Sequence, residues 1–112
     1  MSKPVIHTNP MYQLLRQEDI ATFNLRRDKG ESAELTSGDF RGLDLRNLNA
    51  DGLDFSDGYF RGADLRGIDF RKAKLEGASL CEAKISGCYF PHELTAEEIR
   101  LSVEGGIRMR YK

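Results

Sequence analysis

The sequence predicts a mainly β solenoid, and three observations carry that prediction. Large apolar residues recur at every fifth position: Leu35, Phe40, Leu45, Phe55, Phe60, Leu65, Phe70, Leu75, Leu80, Ile85 and Phe90, interrupted only by Ala50. The positions two residues earlier, from Ala33 to Cys88, are all small or apolar. Between units stand two polar or small residues, the second of which is Gly at 42, 52, 62, 67, 77 and 87 and Asn at 47.

A period of five fits neither regular element. A helix advances about 100° per residue, so residues five apart scatter round its cylinder. A strand alternates every two residues, so Leu35 and Phe40 would face opposite sides of one sheet. Each unit therefore supplies two inward side chains and then a corner that redirects the chain. Gly and Asn suit the corner because a type II turn needs positive φ there. Short extended pieces joined by corners of one sense wind into a coil whose units stack.

Before the repeat, residues 1–32 read as an N-terminal helical cap. Asn9-Pro10 marks a helix start, with Asn as N-cap and Pro at the first helical position. Met11, Tyr12, Leu14 and Leu15 follow it. Asp19 is positioned to cap a second short helix carrying Ile20, Phe23 and Leu25, and Gly30 stops it.

Residues 33–92 hold the repeat in one register. Ala63-Asp64-Leu65-Arg66-Gly67 and the related Gly38-Asp39-Phe40, Leu43-Asp44-Leu45, Leu53-Asp54-Phe55 and Ile68-Asp69-Phe70 resemble the pentapeptide repeat family, whose consensus is Ala-Asp/Asn-Leu-X-X. The resemblance implies a right-handed quadrilateral β-helix with four pentapeptides per coil, so about three coils and a stem about 15 Å tall. Folding in fours stacks Phe40 on Phe60 and Phe70 on Phe90. Leu43, Leu48 and Leu53 replace the family's usual alanine around Ala50, which reads as volume compensation. Cys88 falls in the inward set as a buried thiol, and Cys81 falls at an exposed corner.

Residues 93–112 read as a C-terminal helix and a strand-like tail. Thr95-Ala96-Glu97-Glu98 is a capping box, Ile99 and Val103 share a face, and Gly105-Gly106 ends the helix. Ile107, Met109 and Tyr111 then alternate with Arg108, Arg110 and Lys112, the pattern of a half-buried strand. Such a strand pairs with a second copy, giving a homodimer through the C-terminal end, pairs with a partner, or folds back and blunts an edge of its own stem. Ile107, Met109 and Tyr111 are the candidate self-association residues.

Composition narrows the function. The 112 residues carry 17 Lys+Arg against 18 Asp+Glu, a net charge of −1, so bulk charge makes no case for nucleic acid or an anionic membrane. No apolar run is long enough to span a bilayer, and Met1-Ser2-Lys3-Pro4 lacks the apolar stretch of a secretory signal. Two cysteines, with no CxxC and no His/Cys cluster, point to a reduced, cytoplasmic protein without metal or cofactor. No nucleophile–base pair or phosphate loop can be assembled, so the expectation is a non-enzyme.

What remains is a protein–protein interaction or scaffold module with an unknown protein partner. Arg41, Arg46, Arg61, Arg66 and Arg71 all occupy the first corner position and are candidate contacts for an anionic partner. The alternative is an ion-paired, solvated face, since Asp39, Asp44, Asp64 and Asp69 are interleaved with them. Tyr59 and Tyr89 stand at outward positions where the family has Asp or Asn, and are candidate interface residues. The family's quinolone-resistance branch, which protects gyrase by resembling duplex DNA, suggests a second function. Three coils of near-neutral charge fit it poorly.

Overall fold

From Ser37 onward the backbone repeats its hydrogen bonding every twenty residues. The computed structural model describes residues 3–112; Met1 and Ser2, where the expected cap begins, lie outside them. Large inward residues of the first two turns donate their N–H to a carbonyl nineteen residues ahead: Phe40 to Tyr59 at 2.8 Å, Leu45 to Asp64 at 3.0 Å, Phe60 to Ser79 at 3.0 Å, Phe70 to Tyr89 at 2.7 Å. Parallel bridges accordingly join residues twenty apart, such as Asp44 with Asp64 and Asp64 with Lys84. Four pentapeptides thus complete one turn, and three turns stack.

The expected strands are shorter than "mainly β" suggests. Among the described residues, the β structure is made of isolated bridges, and the continuous elements are three helices. The cause lies in the period. A five-residue unit with a two-residue corner leaves only three extended residues per side, too few for a continuous strand. The corners take the left-handed backbone expected at Asn47 (φ 74°) and at the glycines (φ 68° at Gly62 to 81° at Gly77). Ser37, Asp57 and Glu82 adopt it too, although their residue types do not announce it.

The inward residues form one apolar column per side. Phe40 and Phe60 stack at 5.1 Å and 15°, Phe70 and Phe90 at 6.0 Å and 20°. Phe55 meets Phe40, Phe60 and Phe70 edge-on. Leu48 and Leu53 are buried beside Ala50, as volume compensation requires, while Leu43 is half-buried. Cys88 is half-buried with its thiol on the Leu65 carbonyl at 2.9 Å, and burial raises its pKa. Cys81 is half-buried rather than exposed, because the chain at Gly106 passes over it.

Helix α1 (Pro10–Arg16) and helix α2 (Ile20–Asp28) cover the first turn. Asn9 accepts from the Tyr12 N–H and Asp19 from the Thr22 N–H, the two caps read from the sequence. Tyr12, Leu15 and Phe23 are fully buried, and the Tyr12 ring meets Phe40 edge-on at 5.5 Å. Leu25 departs from expectation and is 54% exposed, since it falls on the outer face of α2. The cap also satisfies the open backbone edge of the first turn, side by side round the stem. Asn9 donates to the Glu34 carbonyl, and Val5 bridges Gly38. The Glu18 carboxylate takes the Asp44 N–H at 2.6 Å, and Asn24 takes the Asn49 N–H while donating to the Asn47 carbonyl.

Candidate interaction site

The arginine row is locally neutralised. In Asp39-Phe40-Arg41, Asp44-Leu45-Arg46, Asp64-Leu65-Arg66 and Asp69-Phe70-Arg71, the guanidinium forks onto its own aspartate two residues earlier, with N–O distances of 2.7–3.0 Å. The same aspartate accepts the arginine backbone N–H, so each corner is an Asx turn closed by a fork. Arg46 also reaches Asp64 at 3.4 Å, and Arg61, which follows Tyr59 rather than Asp, pairs with Glu82 at 3.0 Å. This is the geometry of the ion-paired face, not of an anion-binding patch.

The forks set a pH dependence. The guanidinium hydrogen bonds hold the Asp64 and Asp69 carboxyls at about 2. A carboxylate whose folded pKa lies below its unfolded value stabilises the fold above that unfolded value, about 3.9, and ceases to as pH falls toward 2. Thermal melts between pH 5 and pH 2 should therefore show a falling Tm. The Asp64→Asn/Asp69→Asn double variant should fall less steeply over the same window. Replacing Arg46 and Arg71 together by Ser should change the neutral-pH melt little, since their forks onto Asp44 and Asp69 are exposed on both sides and such pairs add little stability.

The tyrosines divide. Tyr59 is half-buried beneath the C-terminal tail: Arg108 donates to its hydroxyl at 2.5 Å and lies over its ring at 5.1 Å. Tyr89 is 57% exposed, with the Arg71 guanidinium 4.5 Å from its ring centroid. Only Tyr89 is presented outward as expected.

The tail sets the candidate self-association residues against its own chain. Helix α3 (Ala96–Gly105), capped by Thr95, starts next to the Pro91–Glu93 corner and ends where Val103 takes the Glu82 N–H at 2.9 Å. It thus lies across the last turn from one corner to the opposite one. The Glu98 carboxylate, which a capping box would aim at Thr95, instead accepts the Arg110 N–H. After Gly106 (φ 75°) the chain doubles back along the stem, and Arg108 bridges Ser79 in antiparallel sense. The Met109 N–H donates to Ala78 and its carbonyl accepts from Gly77, so Met109 is fully buried in its own chain. The Tyr111 hydroxyl accepts the Leu75 N–H at 2.9 Å, and burial raises its pKa. Of Ile107, Met109 and Tyr111, only Ile107 is left exposed, and the tail runs along its own stem.

Ser102 joins this arrangement without any signal in the repeat. Fully buried, it accepts the Leu80 N–H at 2.8 Å and donates to the Ile107 carbonyl at 2.7 Å. Ser102→Ala leaves two backbone groups unpartnered, so a loss of about 1–3 kcal/mol is expected in denaturant melts. Faster amide exchange at Met109 should accompany it.

Helix α3 and the tail close only half of the final turn. Leu75 and Leu80 are buried, whereas Ile85 and Phe90 stay half-exposed. Between Ile85 and the Ala96, Ile99 and Val103 side of α3 runs an open apolar groove of about 330 Å³, rimmed by Arg100 and Glu104. The site is a rigid, partly open end on a stack of short repeats, without a set of three or more metal-ligating residues among the described residues.

These features define a repeat protein. A family model for pentapeptide repeats matches residues 31–67 and 59–92, with eight copies. The chain belongs to the pentapeptide repeat family. Comparison with curated proteins and with solved structures gave no match.

Proposed function

We propose that this chain is a non-catalytic interaction module, a three-coil right-handed quadrilateral β-helix that holds a rigid end toward a protein partner. The observation that carries the proposal is the half-open apolar end at Ile85, Phe90, Ile99 and Val103. Two helices close one end of the stem, and the tail closes half of the other. Supporting the absence of chemistry, the recurrent aspartates of the row are engaged by arginines within their own units.

Action as a duplex-DNA mimic is disfavoured. The molecule extends only 36 × 27 × 22 Å, and residues 33–92 carry eight Lys+Arg against ten Asp+Glu. Mimicry needs length and dense negative charge. The chain is therefore expected to leave gyrase supercoiling unchanged.

The proposal is tested by immobilising the full chain and identifying proteins that it retains from a lysate at stoichiometric amounts. The Ile99→Lys variant serves as control, with its fold checked by circular dichroism. A partner retained by the native chain and lost with the variant is the expected result. No retained protein, or one indifferent to the variant, would overturn it.

A further inference from the structure

The backbone edge of the last turn is satisfied on two sides and bare on the other two. Following the register of the stem, the groups facing outward along the axis are the N–H of Leu75, Leu80, Ile85 and Phe90 and the carbonyls of the small inward residues. Tyr111 takes the Leu75 N–H, Ser102 the Leu80 N–H, and Met109 donates to Ala78. The N–H groups of Ile85 and Phe90 and the carbonyls of Ala83 and Cys88 have no hydrogen-bond partner among the described residues. Of these residues, Ile85 lines the apolar groove.

We infer that this bare half-edge is a strand-addition site for an extended segment of a partner protein, in which an acidic residue is followed by an apolar residue of about methionine size. The inference rests on the reading of the chain as an interaction module. The tail itself supplies the template. On the neighbouring side, Arg108 lies opposite Ser79, the N–H of the next residue reaches Ala78, and that residue's side chain, Met109, fills the end of the stem. The same antiparallel register one side further on, stopping short of the Glu82 N–H that Val103 already takes, places a partner residue opposite Lys84. It directs the next N–H to the Ala83 carbonyl and the next side chain into the groove against Ile85 and Ile99. Main-chain bonds supply affinity and the pocketed side chain supplies selectivity, as in other strand additions.

Charge decides the residue opposite Lys84. Arg100 at the groove rim is paired with Glu104 at 3.1 Å, whereas Lys84 is exposed and has no carboxylate within salt-bridge distance among the described residues. A carboxylate on the partner complements it. A second copy of the stem does not fit, because α3 lies across the end and holds another coil away from the edge.

The test uses the full chain, isotopically labelled, and two synthetic peptides of residues 105–112: one with the native sequence and one carrying Arg108→Glu. The Arg108→Glu peptide is expected to give saturable amide shifts at Ala83–Ile85, Cys88–Phe90 and Ile99, and to bind about fivefold more tightly than the native peptide. Lys84→Glu, an exposed change that leaves the fold intact, should reverse that preference. Absence of saturable shifts at these residues, shifts confined to Leu75–Leu80 from displacement of the tail, or a preference unmoved by Lys84→Glu would each overturn the site. A captured partner that ignores Lys84→Glu would overturn the site while leaving the interaction module standing; no captured partner would remove the module itself.

Discussion

Phe60→Asp is expected to abolish cooperative folding. Phe60 is fully buried at the middle of the stem, stacked on Phe40 and edge-on to Phe55. Removing such a ring costs about 3–5 kcal/mol by itself. The carboxylate that replaces it has no partner in an apolar column, and burying an unpaired polar group adds several kcal/mol. The sum exceeds what a domain of this size has to lose, since net stabilities run to about 5–15 kcal/mol and small chains sit low in that range. Arg61→Ser, one residue on, removes only an exposed pair with Glu82 and should melt like the native chain. Equal, cooperative melts for the two variants would show that the inward register is wrong.

Gly58→Ala is expected to be strongly damaging for a single-methyl change in the stem. A Cβ at Gly58 would stand 2.9 Å from both the Phe55 carbonyl oxygen and the Phe60 ring. The equivalent position one turn earlier, Gly38, is as tight against Phe40, at 2.7 Å. Ala78 fills that place in the third turn, where the large inward residue is Leu80 rather than Phe. Glycine is thus required where the ring lies flat across the strand. Overpacking here should cost about 1–3 kcal/mol, read from the midpoint of a denaturant melt. Gly62→Ala is the informative comparison: nothing lies within 4 Å of its added methyl, and its only cost is the positive φ of 68°. If Gly62→Ala proves as damaging as Gly58→Ala, backbone conformation and not ring contact explains the column.

The sequence by itself determined the register and the helix caps of this protein. The inward set could be read because every pentapeptide meets nearly the same neighbours above and below, so one local rule is written twelve times in residues 33–92. Asn9, Asp19 and Thr95 could be read because a cap acts within three or four residues of itself. The acid–arginine forks were visible as Asp-X-Arg, though only the geometry decided that each guanidinium closes its own corner instead of facing a partner. What lay beyond the sequence depends on contacts between residues far apart in the chain. The tail's alternation told that it pairs, but its partner is Ser79, nearly thirty residues back, and that choice buries Met109 and covers Tyr59. Ser102 has no repeat to announce it and gains its role only because α3 crosses the stem beside Leu80. The open half of the end has the same origin. Only the folded path of α3 and of the residues after Gly106 decides which sides of the last turn are left bare.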